Sequence, residues 1–473
     1  MNTGRITEAI RAIAVFLLAT FLPDKTRAEE TRSEAPRSNV LLIAVDDLND
    51  WVGCLGGHPQ TNTPNIDRLA ARGMLFTNAH CQGTMCNPSR ISLLFGRRPS
   101  TTGFYSNRYP VSKEPEFLSS HVGLPAHFAA SGYKTLTAGK VFHGAASLKK
   151  QFHVVGPRPG QWLQGADKKV HNKPAGWHGI WDFGPQDYDE SKFTDHLVAT
   201  WVTEQLGNKH DKPFFLAFGF YRPHVPFFPP RRVYDRFKSV QLPRVHEDDW
   251  NDIPDAARRA SMSNAKIPTH DWMREQGRWN EAVHCYLASI RWTDEQLGRV
   301  LDALNKGPHG KDTIVVLFSD HGYHLGEKQR WSKFSLWERT TRVPLIISVP
   351  NGVKGKSGKP VELLSIYPTL IDLCGLPPNP KLQGASLRPL LENPNADWKH
   401  VAISTLGQGN HAVRDERWRY IQYADGSEEL YDHHTDPHEW TNLAEGEPTP
   451  AHAIIIDRLK KHLPKTNTPQ RGK

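Results

Sequence analysis

Three apolar runs that each end at a polar cluster constrain the fold of this chain more than any other feature. The runs are NVLLIAV at 39–45, PFFLAFGF at 213–220 and TIVVLF at 313–318. Continuous apolar runs of this length are typical of strands that are buried on both faces. Helical segments alternate with them along the chain. This alternation predicts an α/β sandwich around a central, mostly parallel sheet.

Helix signals and weaker strand signals complete this pattern. Pro64 stands where a first helical residue would, and Gly73 follows the segment IDRLAAR, which is the usual arrangement of Pro and Gly around a helix. By the same reasoning, helices are expected at 64–72, 124–130, 193–206, 279–304 and from residue 368, and further strands at 133–137 and 344–349.

The polar clusters point to one site. Asp46-Asp47 follow the first apolar run, Arg222-Pro223-His224 the second and Asp320-His321 the third. In open α/β sheets the ligand binds beyond the carboxyl ends of the strands. We therefore expect the three clusters to converge on one functional site.

The remaining segments predict the domain organisation. After about residue 395, short strands separated by turns predict a small antiparallel sheet. The expected domains are thus a catalytic domain at 36–394 and an α+β subdomain at 395–464. The polar tail at 465–473 is expected to be frayed. The stretch 144–190, rich in Gly, Pro and Trp, is expected to be a surface excursion that walls the site.

The first 28 residues predict export. An apolar run at 12–22 is too short to span a bilayer, Pro23 ends it, and a cleavage site is expected after Ala28. This is the pattern of a secretory signal peptide, with an uncleaved anchor as the alternative. No later segment approaches the length of a membrane span. We therefore expect a secreted or periplasmic protein without stable membrane insertion.

Composition narrows the class of partner. A hydrophobic content of 38% excludes a disordered protein. The net charge of +9 favours anionic partners, but it is spread along the chain and no nucleic-acid motif accompanies it, so a nucleic-acid partner is not expected. The 24 His suit metal and proton chemistry, and the 14 Trp suit contacts with sugar rings.

One motif decides the chemistry. Cys86-Asn87-Pro88-Ser89-Arg90 opens an expected helix, with Pro88 in its first turn. A helix N-terminus attracts anions and lowers the pKa of a thiol. The motif therefore predicts a Cys nucleophile that faces an anionic substrate, with a structural Cys in a turn as the alternative.

The segment CNPSRISLLFGR resembles the signature of the type I sulfatases, C-x-P-S-R-x-x-L-x-T-G-R. The resemblance implies an alkaline-phosphatase-like fold, and it implies that a formylglycine-generating enzyme or its equivalent converts Cys86 to formylglycine. A hydrated aldehyde has two hydroxyls on one carbon, so one can attack sulfur and the other can later expel sulfate. The chain departs from the pattern at Phe95, where the family has Thr, which bears on the efficiency of conversion.

The resemblance extends over residues 38 to 445 and implies a metal site. Asp46, Asp47, Asp320 and His321 match the family's ligand pairs and would bind one divalent cation together with the Cys86-derived oxygen. Carboxylate oxygens suit a hard cation, whereas the His raises a zinc alternative. The resemblance favours Ca²⁺.

Five further residues match the family's catalytic positions. Lys140 and Lys333 would bind sulfate oxygens, and His143 would orient formylglycine or assist collapse of the intermediate. His224 would stand next to the leaving oxygen. Arg90 would brace the nucleophile and the metal carboxylates through its forked hydrogen bonds.

Within the family, the patterns GKVFH, RPHVPF and SDHG are most similar to the iduronate-2-sulfatases. This similarity and the basic charge imply a sulfated polysaccharide or oligosaccharide substrate, with a 2-sulfated uronosyl residue as the leading candidate and a sulfated galactan or fucan second. A second anionic group of the substrate is expected to contact residues that flank the site motifs: Arg222, His324, Lys328 and Arg330.

Two other functions stay open. A phosphatase or phosphonate hydrolase of the same superfamily is one, although no second Asp/His set for a two-zinc site is found. The other is a non-catalytic glycan-binding relative, which would be expected to lose at least one residue of the site. For the remaining cysteines, three disulfide pairings or free thiols are possible; these are Cys54, Cys81, Cys285 and Cys374.

Overall fold

The computed structural model describes residues 38–144, 151–161, 166, 169, 180–262 and 267–472. From Ser38 onward the chain packs as one unit. The predicted signal peptide, residues 1–28, lies outside the described residues. Among the described helices, none is both long and apolar enough to cross a bilayer.

A large sheet forms the centre of this unit. Along the chain, the strands are β1 Asn39–Val45, β2 Met74–Phe76, β3 Ala79–His80, β4 Lys134–Gly139, β5 Val154–Val155, β6 Phe214–Phe220, β7 Thr313–Ser319, β8 His324–Leu325, β9 Trp331–Ser332, β10 Leu345–Ser348, β11 Gly355–Ser357, β12 Val361–Glu362, β13 Ala402–Thr405, β14 His411–Arg414, β15 Trp418–Gln422 and β16 Glu428–Asp432. Among the described residues, eight of these strands form the large sheet in the order β11-β2-β10-β7-β1-β6-β4-β5. The run from β7 to β5 is parallel, and β10 is antiparallel to both of its neighbours.

Helices cover both faces of this sheet. Alternate residues of β1 belong to two different apolar cores: Leu41 and Ile43 face one layer of helices, and Val40 and Leu42 face the other. The helices are α1 Pro64–Arg72, α2 Cys86–Phe95, α3 Pro99–Thr102, α4 Pro115–Ser120, α5 Leu124–Ala130, α6 Thr194–Gly207, α7 Arg231–Tyr234, α8 Asp255–Ser261, α9 His270–Glu275, α10 Trp279–Lys306, α11 Glu338–Thr341, α12 Ile366–Leu373, α13 Arg388–Glu392 and α14 Pro450–Lys460. The predicted α/β sandwich is confirmed.

Several boundaries differ from the prediction by one or two residues, and two of these differences have a local cause. The helix expected from Pro368 begins two residues earlier, because a proline in the first turn needs no hydrogen-bond donor. Strand β4 runs on to Gly139, which lies beside Gly219 of β6. A Cβ on Gly139 would stand 2.0 Å from the Gly219 carbonyl oxygen, so this close approach requires glycine. Lys140 therefore follows directly on a parallel strand.

The C-terminal region forms the small antiparallel sheet that the sequence predicts. Strands β13 to β16 pair in chain order. Helix α14 packs on this sheet through Ile456 and Leu459. The Thr405 amide donates to the Gln82 carbonyl at 3.0 Å, which connects β13 to the segment just before Cys86.

The polar tail is not frayed, contrary to the prediction. Its backbone pairs with the segment after α2: the Thr468 amide donates to the Ser100 carbonyl at 2.8 Å, and the Arg471 amide to the Gly103 carbonyl at 3.0 Å. Arg471 also forms an ion pair with Glu114. The tail is ordered by backbone hydrogen bonds, which its polar side chains do not reveal in the sequence.

Deleting residues 467–473 is expected to lower the free energy of unfolding by about 2–4 kcal/mol. Several hydrogen bonds worth about 1 kcal/mol each are lost, partly offset by the freedom the tail regains. Urea unfolding measures this change. Deleting only residues 472 and 473, which follow Arg471, is the control and should have little effect. Equal stability of both truncated chains and the full chain would contradict a structural role for the tail.

The five cysteines are all free thiols in the structure. Cys81, Cys86 and Cys285 are buried. For the four cysteines other than Cys86, the structure therefore has free thiols and none of the three possible disulfide pairings.

Candidate active site

The polar clusters meet at one edge of the sheet. Strands β7, β1, β6 and β4 are parallel neighbours, so their carboxyl ends lie side by side. Helix α2 begins at this edge with Cys86 as its first residue. The structure thus brings together the strand-end residues and the helix-start residue: Asp46, Asp47, Cys86, Lys140, His224, Asp320 and His321.

Cys86 is fully buried among basic side chains. Its Sγ lies 3.1 Å from Lys333 Nζ and 3.3 Å from His321 Nε2. Lys140 Nζ lies 3.6 Å away. Burial by itself raises the pKa of the Cys86 thiol, but the charges of these three neighbours hold that pKa well below its usual value. The surroundings therefore stabilise a negative charge at this position.

Arg90 joins two of the carboxylates. From the second turn of α2, its Nε donates to Asp320 Oδ2 at 2.8 Å and its Nη2 to Asp46 Oδ1 at 3.1 Å. Its Nη1 donates to the Lys140 carbonyl oxygen. The guanidinium fork suits this triple contact, which a Lys could not make. The side chain has the bracing position expected for it.

The buried charges balance within the cluster. Lys333 Nζ lies 2.6 Å from Asp47 Oδ1, and Lys140 forms an ion pair with Asp46. Burial lowers the pKa of Lys333, but Asp47 and the nearby anions raise it well above its usual value. Three carboxylates thus face three permanent cations at the centre of the site, which suits buried charges, since they need partners.

The acidic cluster has the composition of a divalent cation site. The ligand atoms of Asp46, Cys86, Asp320 and His321 all lie within 4.8 Å of one another. Asp47 Oδ2 is buried and has no hydrogen-bond partner among the described residues. Carboxylate oxygens that converge in this way fit a hard divalent cation.

His321 is oriented as a ligand would be. Its Nδ1 is 3.0 Å from the Gly322 carbonyl oxygen, so Nδ1 carries the proton and Nε2 points at the cluster. A backbone carbonyl behind the ring is the usual support of a metal-binding histidine. The predicted ligand set therefore fits one divalent cation.

Two further histidines border the site. His224 Nδ1 lies 2.6 Å from the Val225 carbonyl oxygen, so its Nε2 faces the site, 3.8 Å from Asp47 Oδ2. His143 is half-buried, and burial lowers its pKa. Both line a cavity that is also bordered by Met85 and by the two lysines that contact Cys86, and that we call the cavity above Cys86. Their ring nitrogens can exchange protons with a bound molecule.

That cavity has a volume of about 830 Å³. Lys140 and Lys333 lie on it beside the two histidines. The described parts of the 144–190 excursion form part of its wall, through Arg158, Gln161 and Trp181. The excursion therefore borders the site as expected, although much of it lies outside the described residues.

Two residues expected to bind a second anionic group have other partners. Arg222 is buried, and its guanidinium donates to the Gln161 carbonyl at 2.8 Å and to the His224 carbonyl at 3.2 Å. Arg330 is buried and donates to the Ser261 carbonyl. Neither residue lines the cavity above Cys86. Both side chains are close to the site motifs in sequence, but their guanidiniums donate to backbone carbonyls. The prediction that they bind a second anionic group of the substrate is corrected accordingly.

The other two residues line a different cavity. His324 bonds to Ser335 Oγ at 2.9 Å, and Lys328 Nζ forms an ion pair with Asp249 at 2.7 Å. Both border a second cavity of about 450 Å³ that includes none of the site residues above. The prediction for these two is corrected in the same way, because loops that flank a motif in sequence can point away from it.

Sequence reasoning missed the outer residues of the cavity. Asn107 and Arg108 follow α3 in a turn without periodicity, and Arg158 belongs to a Gly- and Pro-rich stretch. Trp181 is similarly isolated. A weak signal was the cluster Ser-Asn-Arg soon after the Cys86 motif, but nothing in the sequence indicates which way its side chains point.

Comparisons with known proteins agree with this geometry. The family profile described as Sulfatase matches residues 38–376, and the profile described as N-sulphoglucosamine sulphohydrolase, C-terminal, matches residues 326–468. Together these matches span the large sheet and the C-terminal sheet.

Individual relatives cover most of the chain. A protein of Formosa agariphila named sulfatase is 39% identical over 457 residues, which cover 93% of this chain and 89% of that protein. Iduronate 2-sulfatase of Mus musculus is 31% identical over 421 residues, covering 77% of this chain and 74% of the mouse protein. The solved structure of a 2-O glycosaminoglycan sulfatase has a TM-score of 0.68 at 25% identity and covers 90% of each chain.

Proposed function

Since this chain belongs to the sulfatase family and is a sulfuric ester hydrolase with an alkaline-phosphatase-like fold, we propose that it hydrolyses sulfate esters of sulfated carbohydrates. The leading substrate is a 2-sulfated uronosyl residue of a polysaccharide or oligosaccharide. The observation that carries the proposal is the buried Cys86 at a helix start, with Lys333 and Lys140 at 3.1 and 3.6 Å.

The two lysines bind the sulfate group in this proposal. Lys140 and Lys333 both border the cavity and both reach the Cys86 side chain, so an anion that enters next to Cys86 meets two ammonium groups. The N-terminus of α2 adds further positive potential. Together they hold the sulfur atom next to the nucleophile and offset the charge that develops on its oxygens.

We propose that the acidic cluster holds one Ca²⁺. Asp46, Asp47, Asp320 and His321 would be its protein ligands. When bound, such a cation polarises the sulfate and lowers the pKa of an oxygen nucleophile. The charges agree with this, because three carboxylates already balance Arg90 and the two lysines. A bound divalent cation would therefore give the site a net positive charge, which favours the binding of an anionic ester.

Cys86 is proposed to be converted to formylglycine by a formylglycine-generating enzyme or its equivalent. A thiolate that attacked sulfur would keep the sulfo group, whereas the aldehyde hydrate supplies a second hydroxyl that allows its release. Lys140, Lys333 and His321 already stabilise an anion at this position in the unconverted chain. The His143 ring also lies within hydrogen-bonding reach of the Cys86 side chain.

His224 is proposed as the acid that protonates the leaving oxygen. Its Nδ1 is held by the Val225 carbonyl, so Nε2 can carry the proton that enters the reaction. Replacing His224 with Ala is expected to lower kcat/KM for an alkyl sugar sulfate by about 10²–10⁴-fold. The loss for 4-nitrophenyl sulfate should be much smaller, because nitrophenolate leaves without a proton.

Steady-state rates of sulfate release on the two substrates measure this difference. His284→Ala is a matched control, since His284 lies on α10, bonds the Tyr234 carbonyl and does not line the cavity. Equal losses on both substrates in His224→Ala would show that His224 is not the acid.

The substrate class rests on the relatives and on charge. One relative acts on iduronate 2-sulfate by its name, and a similar structure is that of a 2-O glycosaminoglycan sulfatase. Assay of a panel that contains 2-sulfated uronosyl disaccharides, sulfated galactan and fucan fragments and a phosphonate monoester tests the proposal. Faster release from the phosphonate than from every sulfate would replace it with a phosphonate hydrolase.

Export is proposed on the sequence of the first 28 residues. A basic start, an apolar run at 12–22 and small residues near Ala28 support cleavage by a signal peptidase and a secreted or periplasmic location. Sequencing of the N-terminus of protein recovered from the periplasm or the medium tests this. An intact N-terminus in a cytoplasmic fraction would contradict it.

A further inference from the structure

The cavity above Cys86 is lined by cations without any carboxylate among its described residues. Its charged lining consists of Arg108, Lys140, Arg158 and Lys333, together with the histidines His143 and His224. The carboxylates of the cation cluster lie behind this surface. An excess of positive charge in a cavity attracts anions and strengthens their binding. Because Asp46 and Asp47 balance the two lysines, Arg108 and Arg158 are the cations of the lining that add positive charge for a second anionic group.

Three of these four cations already have partners at the base or wall of the cavity. Lys140 and Lys333 are in ion pairs with Asp46 and Asp47. One guanidinium nitrogen of Arg158 donates at 2.8 Å to the carbonyls of both Phe142 and His143. Arg158 therefore supports the segment that carries His143, and the two lysines serve the sulfate group.

Arg108 differs from the other three. Its side chain is exposed at the cavity, and no described residue forms an ion pair or a hydrogen bond with its guanidinium. A guanidinium presents two parallel N–H groups that match a carboxylate in a bidentate contact. A ligand can therefore bind Arg108 without displacing a contact between its guanidinium and any described residue.

The backbone of Arg108 is tied to the nucleophile. The backbone N–H of Asn87, the residue after Cys86, donates to Asn107 Oδ1 at 2.8 Å, and Asn107 precedes Arg108 in this loop. The Asn87 side-chain amide donates to the carbonyls of Ser106 and Tyr109, each at 2.9 Å. These three bonds hold the loop on both sides of Arg108. Its distance from the reacting centre is therefore fixed by the start of α2.

We propose that Arg108 binds the carboxylate of the sulfated uronosyl residue and so determines specificity for acidic sugars. This inference rests on the proposed function and deepens it, because it names the contact that distinguishes a uronate from a neutral sulfated sugar. Arg108 thus has the role that the sequence suggested for Arg222, His324, Lys328 and Arg330, which do not line this cavity. Asn87 acts as a positioning residue for the same contact.

The test uses matched substrates on the full-length enzyme. They are an unsaturated 2-O-sulfated uronosyl disaccharide, the same disaccharide with its carboxylate reduced to a hydroxymethyl group, and 4-nitrophenyl sulfate. Arg108→Ala is expected to lower kcat/KM for the carboxylate substrate by about 10- to 100-fold, mostly through KM. The change for the reduced disaccharide and for the aryl sulfate should stay within about 3-fold. Arg108→Lys should restore part of the loss, because it keeps the charge without the fork.

Arg244→Ala is the control with the same change in net charge. Arg244 is exposed, has no ion pair among the described residues and borders the second cavity. It should alter none of the three rates appreciably. Parallel losses on all substrates in Arg108→Ala would mean that the residue supports the fold of the loop, and no loss on any would mean that it does not contact the sugar. Either result overturns the inference.

The experiment separates failure of the proposed sulfatase function from failure of the proposed Arg108 contact. If the wild-type enzyme releases sulfate from none of the substrates, the proposed function is wrong, and the inference is overturned with it. If it hydrolyses both disaccharides equally well and Arg108→Ala changes neither rate, the sulfatase function stands and the carboxylate contact alone is rejected.

Discussion

Replacing Cys86 with Ala is expected to lower the turnover of every sulfate ester by at least about 10³-fold, because the substitution removes the nucleophile. The fold should persist. The side chain contributes one sulfur atom to a polar cluster, whereas α2 is held by other contacts, such as the hydrogen bond of 2.5 Å from Ser89 Oγ to the Asp320 carbonyl. Circular dichroism and thermal unfolding of the variant check that point.

The Cys86→Ser variant distinguishes loss of the nucleophile from loss of the second hydroxyl that releases the sulfo group. The introduced hydroxyl can attack sulfur but has no second hydroxyl to expel the sulfo group. If conversion acts on cysteine and not on serine, we expect this variant to stop after one event and to gain the mass of one SO₃ group. Cys86→Ala should gain nothing. Intact-protein mass spectrometry measures both results.

The chemical state of residue 86 in the active wild-type protein also tests this mechanism. A peptide map of active enzyme should show residue 86 wholly or partly as the aldehyde, with activity in proportion to the converted fraction. A fully active preparation that contains only the unmodified thiol would overturn the mechanism. Phe95, which replaces the family's Thr, packs against Phe117 with ring centroids 5.2 Å apart. If only part of the protein is converted, the Phe95→Thr variant tests whether this residue limits the conversion.

The central sheet was predictable because its strands are buried on both faces. Apolar runs such as 39–45 have few structures open to them other than a central strand, and β1 begins and ends at the predicted residues. The parallel order then places Asp46, Asp320 and His224 at one edge. Parallel strands with polar residues directly after them are therefore enough to predict that the main site residues meet.

The outer half of the site was not predictable for a physical reason. Lys328 and Arg330 lie close to Lys333 in sequence, yet Lys328 Nζ is ion-paired with Asp249 and the Arg330 guanidinium donates to the Ser261 carbonyl. Lys328 and Gln329 also have positive φ values of 52° and 49°. Such partners and backbone turns are set by tertiary contacts. Arg108 illustrates the converse case, because its position depends on Asn87 hydrogen bonds that no spacing rule indicates.

The tail shows the same limit. Its composition is that of a frayed terminus, but the Thr468 and Arg471 amides find carbonyl partners next to α3. Backbone hydrogen bonds carry no side-chain signature, so composition alone predicts the wrong state. Tyr286 is a related case: its hydroxyl donates to the Asp47 carbonyl at 2.7 Å from what the sequence shows only as a core position of a long helix.

Replacing Asp320 with Asn is expected to remove the cation and with it at least about 10²-fold of kcat/KM. Asp320 is fully buried and binds Arg90 through Oδ2, while Oδ1 accepts the amides of Asp47 and His321, each at 3.2 Å. Asn keeps the shape but not the charge. The variant leaves Arg90 with one carboxylate fewer, which should lower the free energy of unfolding by about 3 kcal/mol.

Metal content distinguishes loss of the cation from general destabilisation. Elemental analysis should find about one Ca²⁺ per wild-type chain and much less in Asp320→Asn. Added Ca²⁺ should raise the Tm of chelator-treated wild type by mass action but not that of the variant. Asp294→Asn is the matched control, because Asp294 is also buried but accepts the Ile66 amide at 2.8 Å, at the start of α1. It should lose stability and keep its Ca²⁺.

The identity of the metal tests the class of enzyme as well. Carboxylates and a histidine that lie close together suit one hard cation, whereas two tightly bound Zn²⁺ ions would need a second group of ligands. In the part of the chain that the structure describes, two other groups have suitable ligands. One is Asp46, Asp47, Cys86 and His224, which shares two residues with the first group; the other is Glu338, His433 and Glu439, whose two carboxylates are both ion-paired with Arg419. Two zinc ions per active chain, retained in Asp320→Asn, would therefore contradict both the ligand assignment and the sulfatase mechanism built on it.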